Sequence, residues 1–226
     1  MEERSKNSHS ADMQSPFALV RCSEEDMPAL VKLMYDAFPP AIRTIFMGCS
    51  TPPQPGELDR ITSVYNKEIR EDPNEIWIGV KDIATAKLIA ASCYKVFLNG
   101  EGGNREADST PAWLTGKDKE LSERIIKQMS EMRARAMPGP FVHLHICFTD
   151  AEYRRRGAGG MMLQWCCDLA DQLFLPGYIE ASAEGNFLYK MYGFYDLEKT
   201  GGELGEDSAV AMKRDARIKP IMGGRP

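Results

Sequence analysis

The sequence predicts one mixed α/β domain, and three observations carry that prediction. Apolar strand-like runs alternate with amphipathic helical stretches along most of the chain. At 226 residues the chain is large enough for one well-packed core and small for two. A hydrophobic strand, Phe141 to Thr149, runs through a short turn into an arginine- and glycine-rich corner, Arg154 to Gly160, that opens a helix.

The elements follow in order. Phe17 to Arg21 reads as a first strand, and Ser23, with Asp26 three residues on, as the N-cap of a helix through Phe38. Pro39-Pro40 stops that helix. A proline-rich loop, Thr51 to Gly56, precedes a helix from about Glu57 to Arg70. Two strands, Ile76 to Lys81 and Leu88 to Phe97, are joined by a turn at Asp82 to Lys87. An insert at about 98–140 is polar and glycine-rich in its first half; in its second, Leu121, Ile125, Ile126, Met129 and Met132 recur at helical spacing. After the corner, Met162, Trp165, Cys166, Leu169 and Leu173 mark a helix that Pro176-Gly177 ends. A short strand at Tyr178 to Ala181, a helix around Tyr189, and strands at Tyr195 to Lys199 and Ala209 to Lys213 complete the domain. Residues 1–15 are expected to be a disordered tail, 16–214 the domain, and 215–226 a flexible tail.

Composition excludes several classes. Net charge is −5, and no basic run exceeds Arg154 to Arg156, so nucleic acid is not an expected partner. No stretch approaches the roughly 20 apolar residues that span a bilayer, and the first fifteen residues lack the apolar core of a signal peptide. Six cysteines without CxxC pairing read as free thiols in a reducing compartment, which makes the cytoplasm the expected location. No metal site is expected, because His143 and His145 have no evident third ligand.

The corner carries the chemistry. Glycines at 157 and 159 let the backbone come close to a ligand, and the amides of Arg155 to Gly160 at a helix start suit a pyrophosphate. The spacing is neither that of a dinucleotide fingerprint nor that of a Walker loop. Upstream, strand alternation places His143, His145 and Cys147 on one side, with Val142, Leu144, Ile146 and Phe148 on the other. Two imidazoles in line beside a phosphate cradle point to proton transfer in a cofactor-dependent transferase.

Arg154, Gly157 and Gly159 in R-x-x-G-x-G spacing, followed by Tyr189 four residues before Gly193-Phe194, resemble the GCN5-related N-acetyltransferase (GNAT) superfamily. The likeness extends from about Phe17 to Arg214. His143-Leu144-His145 is similar to the paired histidines of arylalkylamine N-acetyltransferases, and Ile179 to Ser182 to a stretch in GNAT proteins of fungi. The resemblance implies a single, mostly antiparallel central sheet with helices on both faces. It implies acetyl-CoA as donor, a small (aryl)alkylamine-type acceptor, direct transfer, and a monomer or homodimer. Cys147, Phe148, Thr149, Arg154, Arg155, Arg156, Gly157, Ala158, Gly159, Gly160, Ser182 and Asn186 are the implied cofactor-binding residues, with backbone N–H groups near Cys147 and Thr149 facing the acetyl carbonyl.

By the same resemblance Tyr189 protonates the departing thiolate, His145 is the base and His143 its partner. Two structural histidines remain the alternative, with Glu180 or Asp150 as substitute bases. Ser182 stands where many relatives have asparagine. Phe38, Ile42, Phe46, Phe97 and Trp113 are expected to line the acceptor cavity. A protein lysine or N-terminal acetyltransferase, and a catalytically weak CoA-binding sensor, are the alternatives in function.

Overall fold

The computed structural model describes residues 15–99, 109–200, 202 and 208–217. The polar first half of the insert lies mostly outside these residues, as do 1–14 and 218–226, where disordered tails are expected. Seven strands form one open sheet in the order β1-β2-β3-β4-β5-β7-β6. They are β1 (Phe17–Arg21), β2 (Glu75–Asp82), β3 (Leu88–Phe97), β4 (Phe141–Thr149), β5 (Gly177–Ala181), β6 (Tyr195–Lys199) and β7 (Val210–Arg214). All neighbours are antiparallel except β4 and β5, which are parallel.

The helices are α1 (Met27–Ala37), α2 (Pro40–Ile42), α3 (Glu57–Glu71), α4 (Gly116–Ala136), α5 (Ala158–Gln172) and α6 (Ala183–Met191). One face of the sheet is covered by α1 and α3, whose apolar sides meet Trp77, Ala91, Cys93 and Phe148. The insert helix α4 extends that cover, packing Met132 over Phe97, Phe141, Tyr178 and Ala211. The other face carries α5 and α6, with Leu163, Cys166 and Tyr189 against Ile78, Tyr94, Leu144, Ile179 and Met212. Tyr94 fastens β3 to α5 through a 2.7 Å bond from its hydroxyl to the Met162 carbonyl. A bidentate Arg214–Asp171 pair, 2.7 and 2.8 Å, ties β7 to the far end of α5.

One expected cap is corrected. Ser23 does not cap α1; the chain first turns through residues 23–26, with Asp26 N–H on the Ser23 carbonyl and Ser23 N–H on the Asp26 carboxylate. The helix then starts at Met27, with Pro28 in its first turn where no N–H is needed.

After α1 the chain makes α2 and a π-helical turn, Arg43–Met47, before the loop that leads to α3. Glu57, the first residue of α3, organises that loop. Its carboxylate accepts the Gln54 and Ser50 amides at 2.8 and 3.1 Å and the Ser50 hydroxyl at 2.8 Å. Burial opposes its ionisation, but these donors outweigh burial and hold the carboxyl below its ordinary value. A carboxylate with a depressed folded value stabilises above its unfolded pKa of about 4.3 and loses that contribution as pH falls through the folded value. Glu57→Gln should therefore cost about 1 kcal/mol at pH 7. Chemical denaturation of both proteins checks this: the gap should close below about pH 4, and a gap independent of pH would place the effect elsewhere.

Candidate active site

The site is made by two departures from a regular sheet. First, β4 carries a one-residue bulge: Cys93 pairs with Ile146 and its neighbour Tyr94 with Leu144, leaving His145 as the extra residue. Second, β4 and β5 pair only at Val142↔Gly177 and His143↔Tyr178, then diverge. The bulge decides what faces the opening. Val142 N–H points to the β5 side, onto Pro176, whereas Asp150 N–H points to the β3 side, onto Ile89. Two even-numbered residues point oppositely only because His145 shifts the alternation. The N–H groups of Cys147 and Thr149 thus face the gap between the strands.

The same shift corrects the expected faces of β4. Phe141 and His143 lie on the α4 side, and Ile146 and Phe148 on the α1 side of the same face. Val142, Leu144 and Cys147 face α5. His143 and Cys147 do not share a face. His145, at the bulge, lines the cleft, while His143 is fully buried beside it, with ring centroids 5.3 Å apart.

The cleft is about 1980 Å³ and continuous from the corner to the insert. At the corner, Arg155 takes a left-handed conformation (φ +59°) and Gly157 a φ of +100° that strains any residue with a Cβ. No side chain caps α5, so its first amides stay available to an anion. Arg155, Gly157, Ala158, Gly159 and Gly160 line the cleft. Gly159 has a second reason to be glycine: a Cβ there would come within 3.1 Å of Leu188 on α6.

The other two arginines are engaged. Arg154 lines the cleft but spans it, bonding the Ala37 carbonyl at 3.1 Å, the Thr149 carbonyl at 3.4 Å and Glu184 at 3.2 Å. Arg156 lies over the Phe17 and Tyr153 rings, 5.3 and 4.8 Å from their centroids. Asp150 accepts Lys87 at 2.8 Å, and that ammonium holds its carboxyl below the ordinary range, so it makes a poor base. Asn186 also turns away: its amide donates to Asp196 at 2.9 Å and approaches the Met212 sulfur. Ser182 lines the cleft and caps α6, its hydroxyl accepting Gly185 N–H at 3.2 Å. As a helix cap, serine serves there as well as asparagine would.

Tyr189 on α6 faces the strand gap from the α5 side, lining the cleft while largely buried. Its hydroxyl lies by the Cys147 thiol, and burial, then that neighbouring thiol, keeps the phenol protonated well above its ordinary range. Tyr192 is occupied elsewhere, on the Gly160 carbonyl at 3.1 Å. On the opposite side, Phe38, Ile42, Phe46 and Trp113 line the cleft as expected, joined by Ile126 and Met129 of α4. Trp113 is fixed by a 2.8 Å bond to the Gly48 carbonyl, and Ser122 of α4 bonds the Ile45 carbonyl. Phe97 does not line it; it packs on Phe141 beneath α4.

No family model matches the sequence. It is similar to a probable acyltransferase, SID5, of Ajellomyces capsulatus, with 26% identity over 123 residues, 52% of this chain and 82% of that protein. In structure it is similar to the C-terminal condensation domain of Ebony, solved with beta-alanyl-dopamine (TM-score 0.63, 12% identity, 88% of this chain and 99% of that one). It is also similar to a mosquito arylalkylamine N-acetyltransferase like 5b (TM-score 0.60, 15% identity, 88% and 99%). The chain has the GNAT acetyltransferase fold.

Within that GNAT fold, sequence reasoning missed Glu180 as a partner rather than a substitute base. Its carboxylate lines the cleft and is held by Arg133 Nε at 3.1 Å and His143 Nε2 at 2.9 Å. The only sequence signal was a carboxylate on an otherwise apolar strand and an arginine beside Met132 on the apolar side of α4.

Burial pushes the Cys147 thiol up to about 11. Iodoacetamide at pH 7.5 should leave it unmodified in the native protein and label it in denaturant, as peptide mass spectrometry would read. Cys147 is half-buried at the cleft, so rapid native labelling would mean that its thiolate forms there despite the raised value.

Proposed function

We propose that the chain is an N-acetyltransferase that moves an acetyl group from acetyl-CoA directly onto a small arylalkylamine-type acceptor. The observation that carries this reading is the gap between β4 and β5, faced by the Cys147 and Thr149 amides and by Tyr189, and continuous with the uncapped start of α5. The name of the Ajellomyces capsulatus relative supports acyl transfer, and the two structural neighbours, one an arylalkylamine enzyme and one holding a dopamine conjugate, support the acceptor class.

The residues fit the donor. Amides of Gly157 to Gly160 suit a pyrophosphate, Gly157 has open space where a Cβ would stand, and Arg155 adds charge. Ser182 and Phe148 border the arm between corner and gap. Bound there, acetyl-CoA supplies an activated thioester; the Cys147 and Thr149 amides polarise its carbonyl. His145 takes the proton from an amine that is otherwise charged near neutral pH, and His143 stands behind it. Tyr189, kept neutral by burial, gives its proton to the leaving sulfur. Phe38, Phe46 and Trp113 make an apolar wall, and α4 covers it, which favours a small amine over a peptide in an open groove. Six free thiols, all among the described residues, fit a reducing compartment and thus the cytoplasm. No described helix is long and apolar enough to cross a membrane.

Saturating acetyl-CoA, at about a hundred times its dissociation constant, should add about 2.7 kcal/mol and raise the unfolding midpoint by roughly 5–10 °C. No rise in folded protein would overturn the donor assignment. With acetyl-CoA and tryptamine as probe substrates, Tyr189→Phe should lower kcat by about 10²-fold with little change in CoA affinity. Equal losses in both would make Tyr189 a packing residue. His145→Gln should abolish the acid limb of kcat/KM against pH; an unaltered limb would assign the base elsewhere.

A further inference from the structure

Beneath the bulge lies a buried charged cluster of which the transfer chemistry above uses only His143. His143, Glu180 and Arg133 have side chains only 0, 4 and 3% exposed. They come from three elements: β4, β5 and the insert helix α4. Glu180 takes Arg133 Nε on one oxygen and His143 Nε2 on the other. Burying such charges costs several kcal/mol per ion unless they pair, and a cluster of this kind is not needed for packing.

Its position gives it a use. His143 sits against His145, the imidazole that lines the cleft. We propose that Glu180 and Arg133 are positioning residues: Arg133 keeps Glu180 ionised, and Glu180 sets the tautomer and charge of His143, which in turn tunes His145; the proton that His145 takes from the amine leaves His145 for solvent through the cleft it lines. This rests on the acetyltransferase reading. A carboxylate paired with guanidinium accepts from His143 Nε2–H, which leaves Nδ1 as the proton-accepting nitrogen. Arg133 also limits the pull of Glu180 on an imidazolium, so no proton is trapped on His143.

Lys95 of β3 stands across from His143 in register and pairs with Glu75 of β2 at 3.5 Å. Tyr178 of β5 packs its ring 5.7 Å from that of His143. Glu68 of α3 lines the cleft that His145 faces. Arg133 disfavours an imidazolium and Glu180 favours it, so removing Glu180 or Arg133 moves His143 in opposite senses.

The test is ¹⁵N-imidazole NMR on the full chain, which has only three histidines, His9, His143 and His145. Wild-type His143 should show the Nε2–H tautomer; an Nδ1–H tautomer overturns the proposal without any variant. Glu180→Gln should lower the His143 titration midpoint, and Arg133→Met should raise it, each by about one pH unit or more. Arg133→Lys, which keeps the charge, should stay near wild type. The acid limb of kcat/KM with acetyl-CoA and tryptamine should move in the same two senses. Midpoints that move together, or not at all, overturn the proposal. Should the wild type bind acetyl-CoA but acetylate no amine, the function reading fails while the NMR arms still decide the charge arrangement.

Discussion

The site depends on one residue too many in β4. Without the bulge at His145, the strand's even-numbered amides would all point to β5, and Cys147 and Thr149 would spend theirs on β3. With it, the strand keeps ladder bonds to β3 along its length and still turns two donors toward the place where β5 departs. A bulge bends its strand and raises the local twist. That bend fits the observation that β4 and β5 pair at only two positions before they part. The gap, the available amides and the imidazole in the cleft have one geometric cause.

Around that gap, each wall is held by contacts that need not touch a ligand. Tyr94 and Arg214 fix α5 against the sheet, which keeps its uncapped N-terminus aimed along the gap. Arg154 joins the end of α1, the end of β4 and the start of α6, so the first residue of the R-x-x-G-x-G pattern serves as a brace. Trp113 and Ser122 dock the insert on the turn after α1 and close the acceptor end. The insert is thus two things at once: a lateral wall of the cleft, through Ile126 and Met129, and the source of the arginine that neutralises Glu180.

Helical and strand periodicity made most of the fold legible, because period and punctuation are local properties. The start of α5 at the corner, the pair of strands β2 and β3 around their turn and the helix in the insert all follow from residues close in sequence. The stripe on α4 was read correctly as helical, yet it serves two surfaces: Ile125 and Met132 enter the core, while Ile126 and Met129 face the cleft. Periodicity does not distinguish a core from a cavity wall. Ser23 failed as a cap for a related reason, since a carboxylate three residues on offered its amide a nearer partner.

The sequence by itself determined the order of the elements, the glycine corner and the tyrosine before Gly193-Phe194, because each needs only a spacing and a residue type. Tertiary structure alone decided which side chains meet. The bulge is a matter of pairing between two strands about fifty residues apart, and no alternation within β4 reveals it. Arg156 leaves the corner for two aromatic rings, Asn186 for Asp196, and Phe97 for the core under α4. Glu180 meets Arg133 from 47 residues away. Partners brought together by folding compete for each polar group, and the winner is set by distance in space, which one strand's sequence does not contain.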